Sequence, residues 1–134
     1  MRFIDAMEDL AAQVRGLGHR VELPQREEKK IDWESSDIQS TGRLKKRFID
    51  DHLEKIRTSD AVLLANFEKH GVQGYVGPNT LMEAAFAYAL NKPVVLLFEP
   101  GDQSCSLELR GISSLVLDGA VENIGEVWLQ YERR

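Results

Sequence analysis

A single cysteine, Cys105, stands among the 134 residues, so no disulfide can form between them. No Cys/His cluster has the spacing of a zinc site, and no metal is expected. Uninterrupted apolar runs stay well short of the ~20 residues that span a bilayer. Asp5, Glu8 and Asp9 break up the N-terminal segment where a secretory leader would be apolar, so neither export nor membrane insertion is indicated. Long basic blocks are also missing: 17 Lys and Arg stand against 22 Asp and Glu, a net charge of -5. Duplex binding by neutralising many phosphates is therefore excluded as an expectation, whereas a nucleotide, which needs one local anion site, is not. A reducing, cytoplasmic setting is expected, with no partner that is a nucleic acid polymer or a membrane and no cofactor.

What remains is an ordinary globular composition, 43% hydrophobic and 29% charged, over a length suited to one domain covering 1–134. Phe3, Met7, Leu10, Val14 and Leu17 fall on one face of an opening helix that ends near Gly18. His19 to Leu23 alternates polar and apolar into Pro24 and reads as a short strand. Residues 25 to 41, which include Trp33, read as a polar loop, and Arg43 to Arg57 as an amphipathic helix through Leu44, Phe48, Ile49, Leu53 and Ile56.

Ala61–Ala65 and Val94–Phe98 are apolar without alternation, the mark of strands covered on both faces in a parallel sheet. Between them lie a loop from Phe67 to Pro78 and a nearly all-apolar helix from about Thr80 to Leu90. Pro100 to Leu109 reads as a surface loop, Leu115 to Leu117 as a last short strand, and Val121 to Tyr131 as a closing helix. Helices alternating with buried strands imply an α/β fold with helices on both faces of a parallel sheet, a three-layer arrangement. Ligands of such sheets bind beyond the carboxyl ends of the strands. Asn66, the 67 to 78 loop and the start of the following helix all fall at that edge.

The stretch from Gly71 to Phe98 carries the chemistry. Gly71, Gly74 and Gly77 allow close backbone approach, and the loop runs into a helix N-terminus whose free N–H groups suit an anion. Within that helix Glu83 is the only charged residue. Thr80 and Glu83 have the spacing of a capping box, which would make the acid structural. Placed instead at the ligand edge, an ionised carboxylate can act as a nucleophile towards an anomeric carbon.

SDAVLLANFEKHGVQGYVGPNTLMEAAFAYALNKPVVLL, residues 59 to 97, resembles the second half of the nucleoside 2-deoxyribosyltransferase-like superfamily. DDHLEKI at 50 to 56 and the GHRVELP turn after the opening helix are similar to the same group. The resemblance implies a flavodoxin-like Rossmann fold and a nucleoside or nucleotide ligand. It places Glu83 as the nucleophile at C1′, with water or a second base resolving the ribosyl-enzyme adduct. The candidate substrate-binding set is Asn66, Gly74, Tyr75, Gly77, Asn79 and Thr80. Members with transferase activity carry acids where this chain has Asn66 and Gly77. They also begin with the central strand of the sheet, which this sequence lacks, and a strand-encoding stretch just upstream of Met1 is expected.

The remaining candidates have plainer readings. His70 lies at a charged loop tip, where it could protonate a leaving base or be merely solvated, His52 reads as a surface or packing residue, and His19 as a turn residue. Tyr75 either stacks on a base or anchors its loop. Asp60 suits a turn, Cys105 has no base beside it, and Trp33 and Trp128 read as packing or interface residues. The apolar helix offers more hydrophobic surface than one sheet face covers, so a homodimer or larger homo-oligomer is expected. Two other functions fit the same edge: a phosphoribohydrolase of the lysine-decarboxylase-like group, whose glycine, threonine and glutamate placements GYVGPNTLME resembles, and a non-catalytic nucleotide-binding module.

Overall fold

The computed structural model describes residues 2–23 and 38–132. Its elements run α1 (Arg2–Gly16), α2 (Ile38–Arg57), β1 (Val62–Leu64), α3 (Pro78–Ala89), β2 (Val94–Leu96), α4 (Ser106–Ile112), β3 (Leu115–Val116), a 3-10 turn (Val121–Asn123) and α5 (Glu126–Glu132). The expected loop over 25 to 41 lies mostly outside the described residues, as does Trp33. Its last four residues belong to α2, which starts at Ile38 rather than Arg43.

The fold is α/β, built on a parallel three-stranded sheet in the order β1-β2-β3. Val62 pairs with Val94, Leu63 with Val95 and Leu64 with Leu96, and β2 pairs onward through Val95 with Leu115 and Leu96 with Val116. The apolar run of β2 is buried on both faces as expected, whereas in β1 only Leu64 is buried and the rest of the run is half-exposed along the cleft. Val94 and Leu96 pack with Ile56 of α2, Ala84 and Ala87 of α3 and Leu109 of α4. Val95 and Leu97 face the other way, against Leu10 and Val14 of α1, Leu117, Val121 and Val127 of α5. Alternation along one buried strand thus feeds two cores, and each such side chain contributes roughly 1.5–3 kcal/mol by leaving water.

Small residues set how closely α3 approaches the sheet. Ala84 and Ala87 are fully buried, while Met82, Tyr88 and Leu90 on the outer side are exposed. Helix α3 is therefore apolar nearly all round, Glu83 being its one charged residue, but buried on one side only.

Four expectations require correction. His19–Leu23 is not a strand: it lies across an open cleft from β1, with no strand beside it among the described residues, and side chains take its carbonyls. Arg15 donates to Val21 O at 3.0 Å, and Lys55 Nζ to Leu23 O at 3.0 Å. The supposed loop at 100 to 109 holds the start of α4, a helix too short for its period to stand out, anchored by the buried Leu109. The closing helix is divided into the 3-10 turn and α5, with Ile124 and Gly125 between them. Helix α3 begins two residues before Thr80, with Pro78 as its first residue.

On its far side from β2, β1 is a free edge among the described residues. Val62 N–H donates to Pro93 O and Leu97 N–H to Leu64 O, so alternation turns the backbone groups of Leu63 away from β2 and towards the cleft.

The loop from Phe67 to Gly77 is pinned rather than draped. Gly101 N–H donates to Gly74 O at 3.2 Å, and Lys69 and Val72 form a small bridge. The Gln103 amide donates to Val76 O at 3.0 Å and accepts from Val76 N–H at 3.1 Å. Gly74 sits at φ +69°, and a Cβ there would lie 2.0 Å from the Glu99 carbonyl oxygen. Gly74→Ala is expected to destabilise the protein by at least about 1–3 kcal/mol, read as a lower urea midpoint at unchanged slope.

Candidate functional site

A cleft of about 990 Å³ opens between α1, α2, the free edge of β1 and the N-terminal end of α3. Its volume lies at the upper end of the range typical of small-molecule sites. Towards the carboxyl end of β1 it gathers Asn66, Tyr75, Gly77, Asn79, Thr80 and Glu83. Six of the seven residues singled out from the sequence thus share one cleft. The seventh, Gly74, is buried against Glu99 and Gly101 and holds the loop in place.

Glu83 is not a capping residue. Proline suits the first helical position because it has no N–H to leave unpaired, so α3 starts at Pro78, with Gly77 as its N-cap and no side-chain cap hydrogen bond. Glu83 is consequently the sixth helical residue, in the second turn, beyond the reach of a capping box and of most of the helix dipole. The free N–H groups at the helix start that point outward are those of Asn79 and Thr80, since Leu81 N–H already donates to Gly77 O at 2.9 Å.

The partner of Glu83 comes from α2. His52 Nε2 lies 3.3 Å from Glu83 Oε2, with side-chain exposures of 16% for the histidine and 25% for the glutamate. His52 Nδ1 is buried and has no hydrogen-bond partner among the described residues. Read from the sequence, His52 was a surface or packing residue. Its spacing held the clue: Phe48, His52 and Ile56 follow one another at i, i+4 on the inward stripe of α2, and both flanking residues are buried.

Asn66 serves the scaffold at the edge of the cleft. It is 1% exposed, its Nδ2 donates to Phe98 O at 2.7 Å, and its Oδ1 accepts from Phe98 N–H at 2.9 Å. The side-chain amide continues the β1–β2 ladder where the strands part. Tyr75 lines the cleft and packs edge-on against His70, ring centroids 5.4 Å apart, while His70 itself stays outside the cleft. Its aromatic neighbour anchors one side of Tyr75 and leaves the rest towards the opening. Gly77 lies against the same tyrosine, where an added Cβ would come within 3.6 Å of its ring.

Three acids line the cleft, and they are well separated along the chain. Asp60 precedes β1 at the opposite edge of the sheet, Glu22 belongs to the extended segment after α1, and Glu83 stands alone at the carboxyl edge. Trp128 lines the cleft from α5 and packs with the Val95 core, and Cys105 packs with the other core, its Sγ 2.8 Å from Gln103 Nε2. Among the described residues no group of three His, Cys, Asp or Glu side chains could hold a metal ion. In the same residues no helix is long and apolar enough to cross a membrane.

Asn66→Ala would leave both Phe98 backbone groups unpaired in a buried place, at a cost of about 1–3 kcal/mol. Asn66→Asp would lose the donor and turn a carboxylate towards Phe98 O. Both are expected to lower the unfolding midpoint, and the aspartate to bring no gain in any activity of the site.

No protein-family model matches the chain, and no curated protein or solved structure matches it.

Proposed function

We propose that this protein breaks N-glycosidic bonds of a nucleoside or nucleoside 5′-monophosphate, with Glu83 as the nucleophile, releasing the base to water or passing the sugar to a second base. The observation that carries this reading is Glu83 itself: an acid freed from any capping duty, 3.3 Å from His52 in a cleft at the carboxyl edge of a parallel sheet. A flavodoxin-like, three-layer architecture of the nucleoside 2-deoxyribosyltransferase-like kind belongs to the same proposal.

In the reaction a Glu83 oxygen bonds to C1′ as the C1′–N bond breaks, and the electron pair leaves with the base, which takes its proton from solvent in the open cleft. Water or an incoming base then attacks C1′ from the vacated face, loses a proton to solvent, and breaks the Glu83 O–C1′ bond, which frees the carboxylate. Tyr75 offers a ring face to the base or sugar, and the N–H groups of Asn79 and Thr80 suit a ribose oxygen or a 5′-phosphate.

One observation favours a second reading, a nucleotide-binding module without chemistry. Asn66, which stands where the resemblance puts an acid of active members, is committed to the backbone of Phe98, and Gly77 has no side chain to offer.

The outer side of α3 supports a homodimer in this proposal. Met82 and Tyr88 are 49% and 51% exposed, with Ala85 and Ala89 beside them and no charge from Ala84 to Asn91.

Incubation with a panel of nucleosides and 5′-monophosphates, followed by chromatography of the free base, tests the chemistry. Turnover is expected in the wild type, with a loss on the order of 10³-fold or more in Glu83→Gln. Undiminished release in that variant overturns the nucleophile; calorimetric binding without release selects the binding module. For the dimer, sedimentation at micromolar concentration is expected to show two copies for the wild type and one for Tyr88→Asp.

A further inference from the structure

We infer that His52 is the positioning residue for Glu83, an assignment that deepens the glycosidic reading and rests on it. A glutamate carboxylate turns about three side-chain bonds, whereas attack on C1′ needs one oxygen held about 3–3.5 Å from the carbon along a fixed line. In this assignment the imidazole of His52, whose Nε2 stands 3.3 Å from Oε2 on the neighbouring helix, limits that freedom. With Oε2 beside Nε2, Oε1 is the oxygen left for the sugar.

The ring's other nitrogen says how the tie is made. Nδ1 is enclosed by protein and lacks a partner among the described residues. The tautomer that serves Glu83 carries its proton on Nε2 and turns the Nδ1 lone pair into this enclosed space.

The assignment also says what His52 does not do. Displacement at C1′ expels the base on the face opposite the attacking oxygen, and water or the second base enters from that vacated face. His52 reaches Glu83 from α2 through the carboxylate itself, on the side of attack. It therefore neither protonates the departing base nor activates the incoming water; its effect passes through Glu83.

Kinetics of base release and a proton spectrum of the isotope-labelled, full-length protein test this together. His52→Ala is expected to lower kcat about 10–100-fold with KM changed less than about two-fold, because orientation and not binding is lost. His52→Gln, which restores an amide N–H donor, is expected to recover most of that rate. An unchanged kcat in His52→Ala, or a raised KM at full kcat, overturns the assignment. Independently of turnover, a downfield Nε2–H resonance of His52 is expected in the wild type and lost in Glu83→Ala. Its absence from the wild type, or its persistence in that variant, overturns the contact. A resonance that behaves as expected in a protein releasing no base from any compound of the panel leaves the pair standing. It then overturns the glycosidic reading, and the positioning role with it.

Discussion

Burial of β2 on both faces is the constraint from which the rest of the molecule follows. Val94 to Leu97 are almost sealed from water, and they can be so only if helices cover both sides. Helices α2, α3 and α4 close one face and α1 and α5 the other. The consequence reaches the cleft directly: once α3 must lie flat on the sheet through Ala84 and Ala87, its N-terminal end is fixed at the carboxyl edge, and Glu83 is presented beside α2.

Two side-chain amides then stiffen that edge. Asn66 and Gln103 each meet both backbone polar groups of a single residue, Phe98 and Val76 respectively, as a neighbouring strand would. They stand where the regular ladder has stopped. A loop held in this manner keeps Tyr75 and Gly77 in place without a bound ligand, which lowers the ordering cost that binding would otherwise carry.

Strand β2 could be read from the sequence because a doubly covered strand needs an unbroken apolar run, as in PVVLLF; AVLLA marks β1 by the same pattern, although only Leu64 of that strand is buried. The cleft-lining residues of the 66 to 83 stretch were legible for the same reason, since the edge beyond such strands is defined once the strands are. Helix α4 was not, because seven residues hold too few turns to show a period. Pro78 and Thr80 both signal a helix start, and local pattern does not rank them; the proline took the first position and dissolved the capping box. His52 needed the third dimension: its stripe was visible, but only the packing of α2 against α3 shows what the stripe faces. At His19–Leu23 an alternating pattern called for a strand, yet a strand exists only with a neighbour to bond, and none lies beside it among the described residues.

Among the described residues the free edge of β1 differs from an ordinary sheet margin. Edges that meet solvent squarely invite another sheet to pair with them, and proteins blunt them with charge, proline or bulges. Here the backbone groups of Leu63 open into a slot whose walls are Leu10, Ala11 and Val14 on one side and Phe48, Leu53 and Ile56 on the other. Two such molecules cannot bring these edges side by side while the walls stand. The recess guards the edge by depth instead of by charge, and it admits only something narrow enough to enter between two helices.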